Sequence, residues 1–185
     1  MVDIPRHELD IEEGDEWQVI EAYFTSSTQV LVKQQLDSFD TFLMTNIAEI
    51  IHDTETLMVN CNTFSATERR VLTLKFGDVK MTHPLITEDG RDKTVTPNQC
   101  RLRNMTYASA LYVQVLTEEK NPATGASERT QEDLVKLGTM PVMLRSEVCG
   151  LNRASVVELG ECPYDSGGYF IVNGSEKVLI AQEKM

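Results

Sequence analysis

Enzyme chemistry needs reactive side chains at spacings that let them converge, and this sequence offers few. Its three histidines, His7, His52 and His83, stand far apart. His7-Glu8 lacks the second histidine that a helical zinc motif carries four residues after the first. Cys61, Cys100, Cys149 and Cys162 form no C-x-x-C pair, which argues against a zinc knuckle or a dithiol redox site. They read as reduced, buried thiols. No G-x-S-x-G nucleophile elbow is present. The stretch Gly174-Ser-Glu-Lys lacks the first half of the phosphate loop G-x-x-x-x-G-K-[ST]. Acidic residues are plentiful, but no Asp-x-Asp-x-Asp cluster is there to hold magnesium. Read alone, the chain is a scaffold with no catalytic, cofactor-binding or metal-binding residue of its own.

The remaining candidates are cations beside apolar segments. Arg101, Arg103 and Arg145 either pair with the abundant carboxylates and snorkel at strand edges, or contact a phosphate or a neighbouring subunit. Lys177 follows Glu176 in a strand pattern and reads as a solvent-facing cross-strand partner.

These residues must be placed by a mixed set of elements. Trp17, Ile20 and Phe24 recur at helical spacing and predict a short amphipathic helix over 16–25. The run Thr25-Ser26-Ser27-Thr28 breaks it. A longer helix over 29–52 follows, with Val32, Leu36, Phe39, Leu43, Ile47, Ile50 and Ile51 on a core-facing stripe. The period then changes to two. Strands are predicted over 71–76, continuing after Gly77 into 79–81, then over 111–116 and 135–144, the last broken by Gly138 and Pro141. Glu88-Asp89-Gly90 is a turn. Residues 117–133 are polar and read as a loop or mobile insertion. Ser155 opens a short helix with Glu158 at the capping-box position, ended by Gly160. Asp165-Ser-Gly-Gly is a turn. Tyr169–Val172, the pair Asn173-Gly174 and a return strand over 176–182 predict a hairpin with a type I′ turn. The fold class is α+β: N-terminal helices followed by mostly antiparallel strands.

Composition fits that reading. The 185 residues are 41% hydrophobic and 25% charged, as in a globular chain. The net charge of -12 argues against a free-standing nucleic-acid binder. Much of the acid sits in residues 1–15, which read as a flexible tail before a folded unit over 16–185. The acidic N-terminus is no signal peptide, and no apolar run approaches the roughly 20 residues of a membrane span.

Four blocks carry a family resemblance. E-C-P-Y-D-S-G-G-Y-F-I-V-N-G-S-E-K-V-L-I-A-Q-E-K-M (161–185) resembles a signature of the second-largest, beta-like subunit of multisubunit RNA polymerases. The bacterial β subunit has a shorter relative of it, N-G-T-E-R-V. L-V-K-Q-Q-L-D-S-F-D (31–40), R-L-R-N-M-T-Y-A-S-A-L-Y-V (101–113) and M-P-V-M-L-R-S (140–146) resemble blocks of the RNA polymerase II version, in the same order and spacing. The likeness covers about 16–185. It departs at about 53–70 and 117–135, where the family also varies in length.

The resemblance implies the first segment of the protrusion, a domain that flanks the DNA cleft, in an N-terminal piece of a much longer nuclear subunit. It implies DNA-templated RNA synthesis by the whole polymerase and no catalysis by these residues. The complete enzyme is expected to need magnesium and zinc, with no cofactor in this segment. Implied partners are the largest and the smaller polymerase subunits, the DNA template, the RNA–DNA hybrid and general transcription factors. By position, Lys177 matches the arginine of N-G-T-E-R-V, and Gln182 follows along the strand. Both are expected to face the hybrid. In a regular strand 177 and 182 point to opposite faces, so this requires a bulge or a strand end between them. The other reading is a free-standing truncated protein that binds polymerase partners.

Overall fold

The computed structural model describes residues 16–27, 29–54, 56–62, 69–120, 127–152 and 155–184. The acidic tail over 1–15 lies outside the described residues. Helix α1 (Glu16–Thr25) forms where its periodicity predicts, but none of its residues is buried, and Trp17 is 76% exposed. The second helical stretch is less uniform than its sequence pattern. It is built from a 3₁₀ turn (Val30–Val32), α2 (Lys33–Thr41), a π turn (Phe42–Asn46) and α3 (Ile47–His52). In the π turn the Ile47 amide bonds back to the Phe42 carbonyl, five residues earlier. A wider turn shifts the phase of the stripe. Leu36 before it and Ile47 after it are buried, while Ile50 of the same predicted stripe is exposed.

Four antiparallel strands form the main sheet, in the order β1 (Leu57–Asn62), β2 (Arg69–Met81), β5 (Ala108–Lys120), β6 (Ser127–Pro141). Strands β3 (Leu85–Glu88) and β4 (Arg91–Thr94) form a separate hairpin on Asp89-Gly90, both with positive φ. The expected loop at 117–133 is a correction. Strand β5 runs on to Lys120, and β6 begins at Ser127, paired with it. The arm is polar because its side chains are exposed over 130–134 and only partly buried over 117–119, so they need not be apolar. At its base, Leu137 is the extra residue of a bulge opposite Leu111 and Tyr112, just before Gly138.

The short helix α4 (Pro97–Leu102) was hidden by its length. Thr96 caps it, accepting from the Gln99 amide while the Gln99 side chain accepts from the Thr96 amide. The expected helix after Ser155 is instead a turn, closed by the Glu161 amide on the Val156 carbonyl. Gly160 sits there at φ +76, and a Cβ on it would meet the Asn98 side chain at 2.7 Å. Cys100 and Cys149 are buried as expected, whereas Cys162 is exposed.

The main core cluster lies where the main sheet meets the chain's last hairpin. Tyr107, Val142, Leu144, Cys149 and Ile171 are fully buried there, with Cys100 of α4. The hydroxyl of Tyr107 accepts from the Gly150 amide at 3.0 Å, and burial raises its pKa. Strands β7 (Phe170–Val172) and β8 (Ser175–Lys177) turn on Asn173-Gly174, with φ +51 and +77, as the type I′ signal predicts. The turn before β7 packs tightly. At Gly167 (φ +74) a Cβ would lie 2.5 Å from the Leu144 carbonyl and 2.4 Å from Cγ of Arg145.

Gly90 gives an internal control, because it also has positive φ but nothing within 4 Å of a Cβ. Gly90→Ala is expected to cost about 1 kcal/mol of backbone strain. Gly167→Ala adds a steric term and is expected to cost about 3 kcal/mol in all. Urea denaturation of both variants at low protein concentration checks this. Equal losses would contradict the tight fit around Gly167.

Candidate nucleic-acid interface

The hairpin that carries Lys177 is held from three directions. The Tyr107 amide bonds the Ile171 carbonyl at 3.0 Å, and the Gly174 amide bonds the Met105 carbonyl at 2.9 Å. The Leu144 amide bonds the Tyr169 carbonyl at 2.9 Å on the other side. Gly174 is needed at the tip, since a Cβ there would lie 2.8 Å from the Asn104 backbone. Phe170 meets Phe39 of α2 edge to face, with ring centres 5.4 Å apart.

A side-chain network completes the fastening. Arg101, in the last turn of α4, donates from Nη1 to both Glu161 oxygens at 2.8 and 2.9 Å. Its Nε donates to Glu176 at 2.7 Å and its Nη2 to the Tyr169 hydroxyl at 2.8 Å. The Tyr169 hydroxyl donates in turn to Asp165, which also accepts from the Gly167 amide at 2.9 Å. Burial disfavours the charge on Arg101, but Glu161, Tyr169 and Glu176 outweigh it and raise its pKa. Burial, then the bond to Asp165, raises that of Tyr169. These groups are therefore a fixed cation and a neutral phenol at physiological pH. They clamp the fold and have no proton to trade.

Of the three arginines singled out in the sequence, two are structural. Arg103 pairs with Glu88 at 2.6 Å. Arg101 is the hub just described. Arg145 makes no ion pair among the described residues. It occupies the left-handed region at φ +69, which is strained for a residue that carries a Cβ. Glu161, Glu176 and Tyr169 were missed as partners of Arg101, and Asp165 as the partner of Tyr169. The partners of Arg101 lie 60 or more residues away, and no local spacing announces them.

Lys177 is exposed at the end of β8, opposite Phe170. The return strand predicted over 176–182 stops there, and residues 178–184 have no regular structure. The strand end that would free 177 and 182 from the alternation of a pleat is thus present. Gln182 is exposed, and no hydrogen bond joins it to Lys177. Lys177 also borders a groove of about 760 Å3 between α2, the end of β6 and the hairpin, and is the one charged residue lining it. Phe39, Phe42, Phe170, Leu179 and Ile180 make most of its apolar wall. Among the described residues no three metal-ligating side chains come together, and no helix is long and apolar enough to cross a membrane.

The hairpin, its glycines and the arginine hub fall inside one region of sequence likeness. The family model described as RNA polymerase beta subunit matches residues 30–185. The chain belongs to the RNA polymerase beta subunit family. Among similar proteins, DNA-directed RNA polymerase II subunit RPB2 of Encephalitozoon cuniculi is 43% identical over 175 residues, covering 91% of this chain and 15% of that protein. DNA-directed RNA polymerase II subunit 2 of Arabidopsis thaliana is 42% identical over 189 residues, covering 95% and 16%. DNA-directed RNA polymerase subunit Rpo2 of Saccharolobus solfataricus is 35% identical over 175 residues, covering 92% and 14%. This member of the beta subunit family thus spans about 15% of the length of the curated relatives it matches.

The clamp on the hairpin predicts an ordered set of losses. The side chain of Glu161 is only 5% exposed, so Arg101→Ala leaves it buried and unpaired, at a cost of about 3 kcal/mol. Glu176 is 55% exposed, and Glu176→Gln is expected to cost less than about 1 kcal/mol. Urea denaturation midpoints check the order. Equal effects would remove Glu161 as the partner that matters.

Proposed function

We propose that this chain is part of the second-largest subunit of DNA-directed RNA polymerase II and serves DNA-templated RNA synthesis in the nucleus. The observation that carries this is the family match over 30–185, which takes in the hairpin and its clamp. The polymerase II class is supported by the identities of 43% and 42% to two polymerase II subunits, against 35% to the Saccharolobus solfataricus subunit. In this reading residues 16–185 are the first segment of the protrusion and residues 1–15 an acidic tail. The segment flanks the DNA cleft and the RNA–DNA hybrid, beside the largest and smaller polymerase subunits, and general transcription factors bind the assembled enzyme. It supplies no catalytic group. Magnesium and zinc are assigned to other parts of the polymerase.

Within that frame, Lys177 and Gln182 are the residues that meet nucleic acid. Lys177 is exposed on a hairpin fixed by Arg101, and a lysine there pairs with a backbone phosphate as a point charge. Its neighbour Glu176 is already engaged by Arg101, which offsets the repulsion it would exert on the phosphate. The amide of Gln182 donates a hydrogen bond that positions without reading sequence. The exposed apolar residues Leu179 (70%) and Ile180 (76%), beside the groove, support packing against other parts of the polymerase.

Polymerase carrying Lys177→Ala tests the contact. The slope of log affinity for a template–hybrid scaffold against log salt is expected to become shallower by about 0.7 to 0.9, the loss of one phosphate contact. Lys177→Arg should keep it. Gln182→Ala should leave the slope unchanged and weaken binding about fivefold, the worth of one hydrogen bond. An unaltered slope in Lys177→Ala would remove Lys177 from the interface.

A further inference from the structure

Arg145 stands out once every described cation is placed. Of the lysines and arginines whose side chains are described, only Arg101 and Arg145 are partly buried; the others are exposed. Arg101 spends its donors on Glu161, Glu176 and Tyr169. Among the described residues the Arg145 side chain has no hydrogen bond or ion pair. That is unexpected in a protein of net charge -12, where acidic partners outnumber cations. Arg145 is partly buried as a residue, its stem lying close to Gly167, and a guanidinium left without a partner gains from a fixed anion.

The surrounding backbone is built to hold Arg145 in place. Met143, Leu144 and Ser146 beside it are buried. The Leu144 amide and carbonyl bond Tyr169 and Gly168, and the Ser146 amide and hydroxyl both bond the Met143 carbonyl, at 3.2 and 2.7 Å. The Asn152 side chain bonds the Ser146 carbonyl at 2.7 Å. This bonding keeps Arg145 at φ +69, and the missing side chain of Gly167 leaves room for its stem. Strain of this kind persists where the surroundings over-determine it and gathers at binding sites.

Nearby acidic groups are already committed. Asp165 accepts from Gly167 and Tyr169, and Asp40 accepts from the Glu147 amide at 3.0 Å. They also decide the class of ligand. Glu147, Asp40 and Asp165 surround this turn with negative charge, which repels the dense charge of a nucleic-acid backbone but tolerates a single carboxylate. Met143, two residues earlier, lines the apolar groove, which suits a polypeptide.

We propose that Arg145 is an interface residue that grips an Asp or Glu carboxylate presented by polymerase polypeptide outside these 185 residues. This rests on the reading that the chain works within a polymerase. A planar guanidinium pairs with a carboxylate through two parallel N–H···O bonds, which fixes orientation as well as contact.

The test uses the assembled, nucleic-acid-free polymerase. If this chain is missing from the purified enzyme, the proposed function fails before any reagent is added. Phenylglyoxal labelling, read by mass spectrometry at position 145, is expected to run about tenfold slower in the native enzyme than after urea unfolding, as for a paired guanidinium. In enzyme carrying Arg145→Lys, a zero-length carbodiimide should join position 145 to an Asp or Glu outside residues 1–185. Labelling as fast as in urea overturns the proposal. So does protection that arises only when DNA or RNA is added, which would mark a phosphate contact. Protection without a cross-link, or a cross-link only within these 185 residues, also overturns it. If Arg145→Lys does not assemble, the labelling of the unsubstituted enzyme decides.

Discussion

The guanidinium of Arg101 ties together parts of the chain that nothing local would join. Its donors reach Glu161 and Tyr169, in the segment that leads into the last hairpin, and Glu176 in its strand β8. The helix that presents it is one and a half turns long and would not persist alone. It is held by the Thr96 cap and by burial of Cys100 in the core. Each part therefore depends on the others: the cap sets the helix, the helix aims the arginine, and the arginine neutralises Glu161 where water cannot. A chain this acidic can bury a carboxylate only with such a partner. The same pairing leaves Lys177, next to Glu176, as the hairpin's free cation.

What could be read in advance follows from how local the physics is. Asn173-Gly174 was legible because both residues must take positive φ, a demand few other pairs meet. The helices over 16–25 and 29–52 were legible from period alone, though the π turn that redirects Ile50 was not. The arm of β5 and β6 was misread because hydrophobic alternation signals burial rather than pairing. Thr117 to Lys120 pair with Gln131 to Ser127, although none of Thr117 to Lys120 is fully buried. The helix expected after Ser155 failed for the opposite reason. A capping pattern was present, but the chain closes into a turn at Gly160. Thr96-Pro-Asn-Gln carried the same kind of pattern and does start a helix. Lys177 was singled out only by its match in position to the arginine of N-G-T-E-R-V, and Arg101's partners were not legible at all.

The apolar surface is distributed unlike that of a self-contained domain. Helix α1 exposes Trp17, Tyr23 and Phe24, strand β1 exposes Met58, and residues 178–180 lie open beside the groove. Scattered apolar residues are ordinary on a protein surface, but a helix with no buried residue is not. The chain covers about 15% of the length of the relatives it matches. The partition of charge fits the same view. Arg101 and Arg103 are spent on internal pairs, while Lys177 and Arg145 make no ion pair among the described residues.

The central claim is that this fold works as one part of an RNA polymerase. An antibody raised against residues 1–15 tests it most directly, by following protein carrying this sequence through successive purification columns. The account predicts that the signal stays with DNA-templated RNA synthesis activity in every fraction. A signal that separates from that activity and runs alone would contradict it.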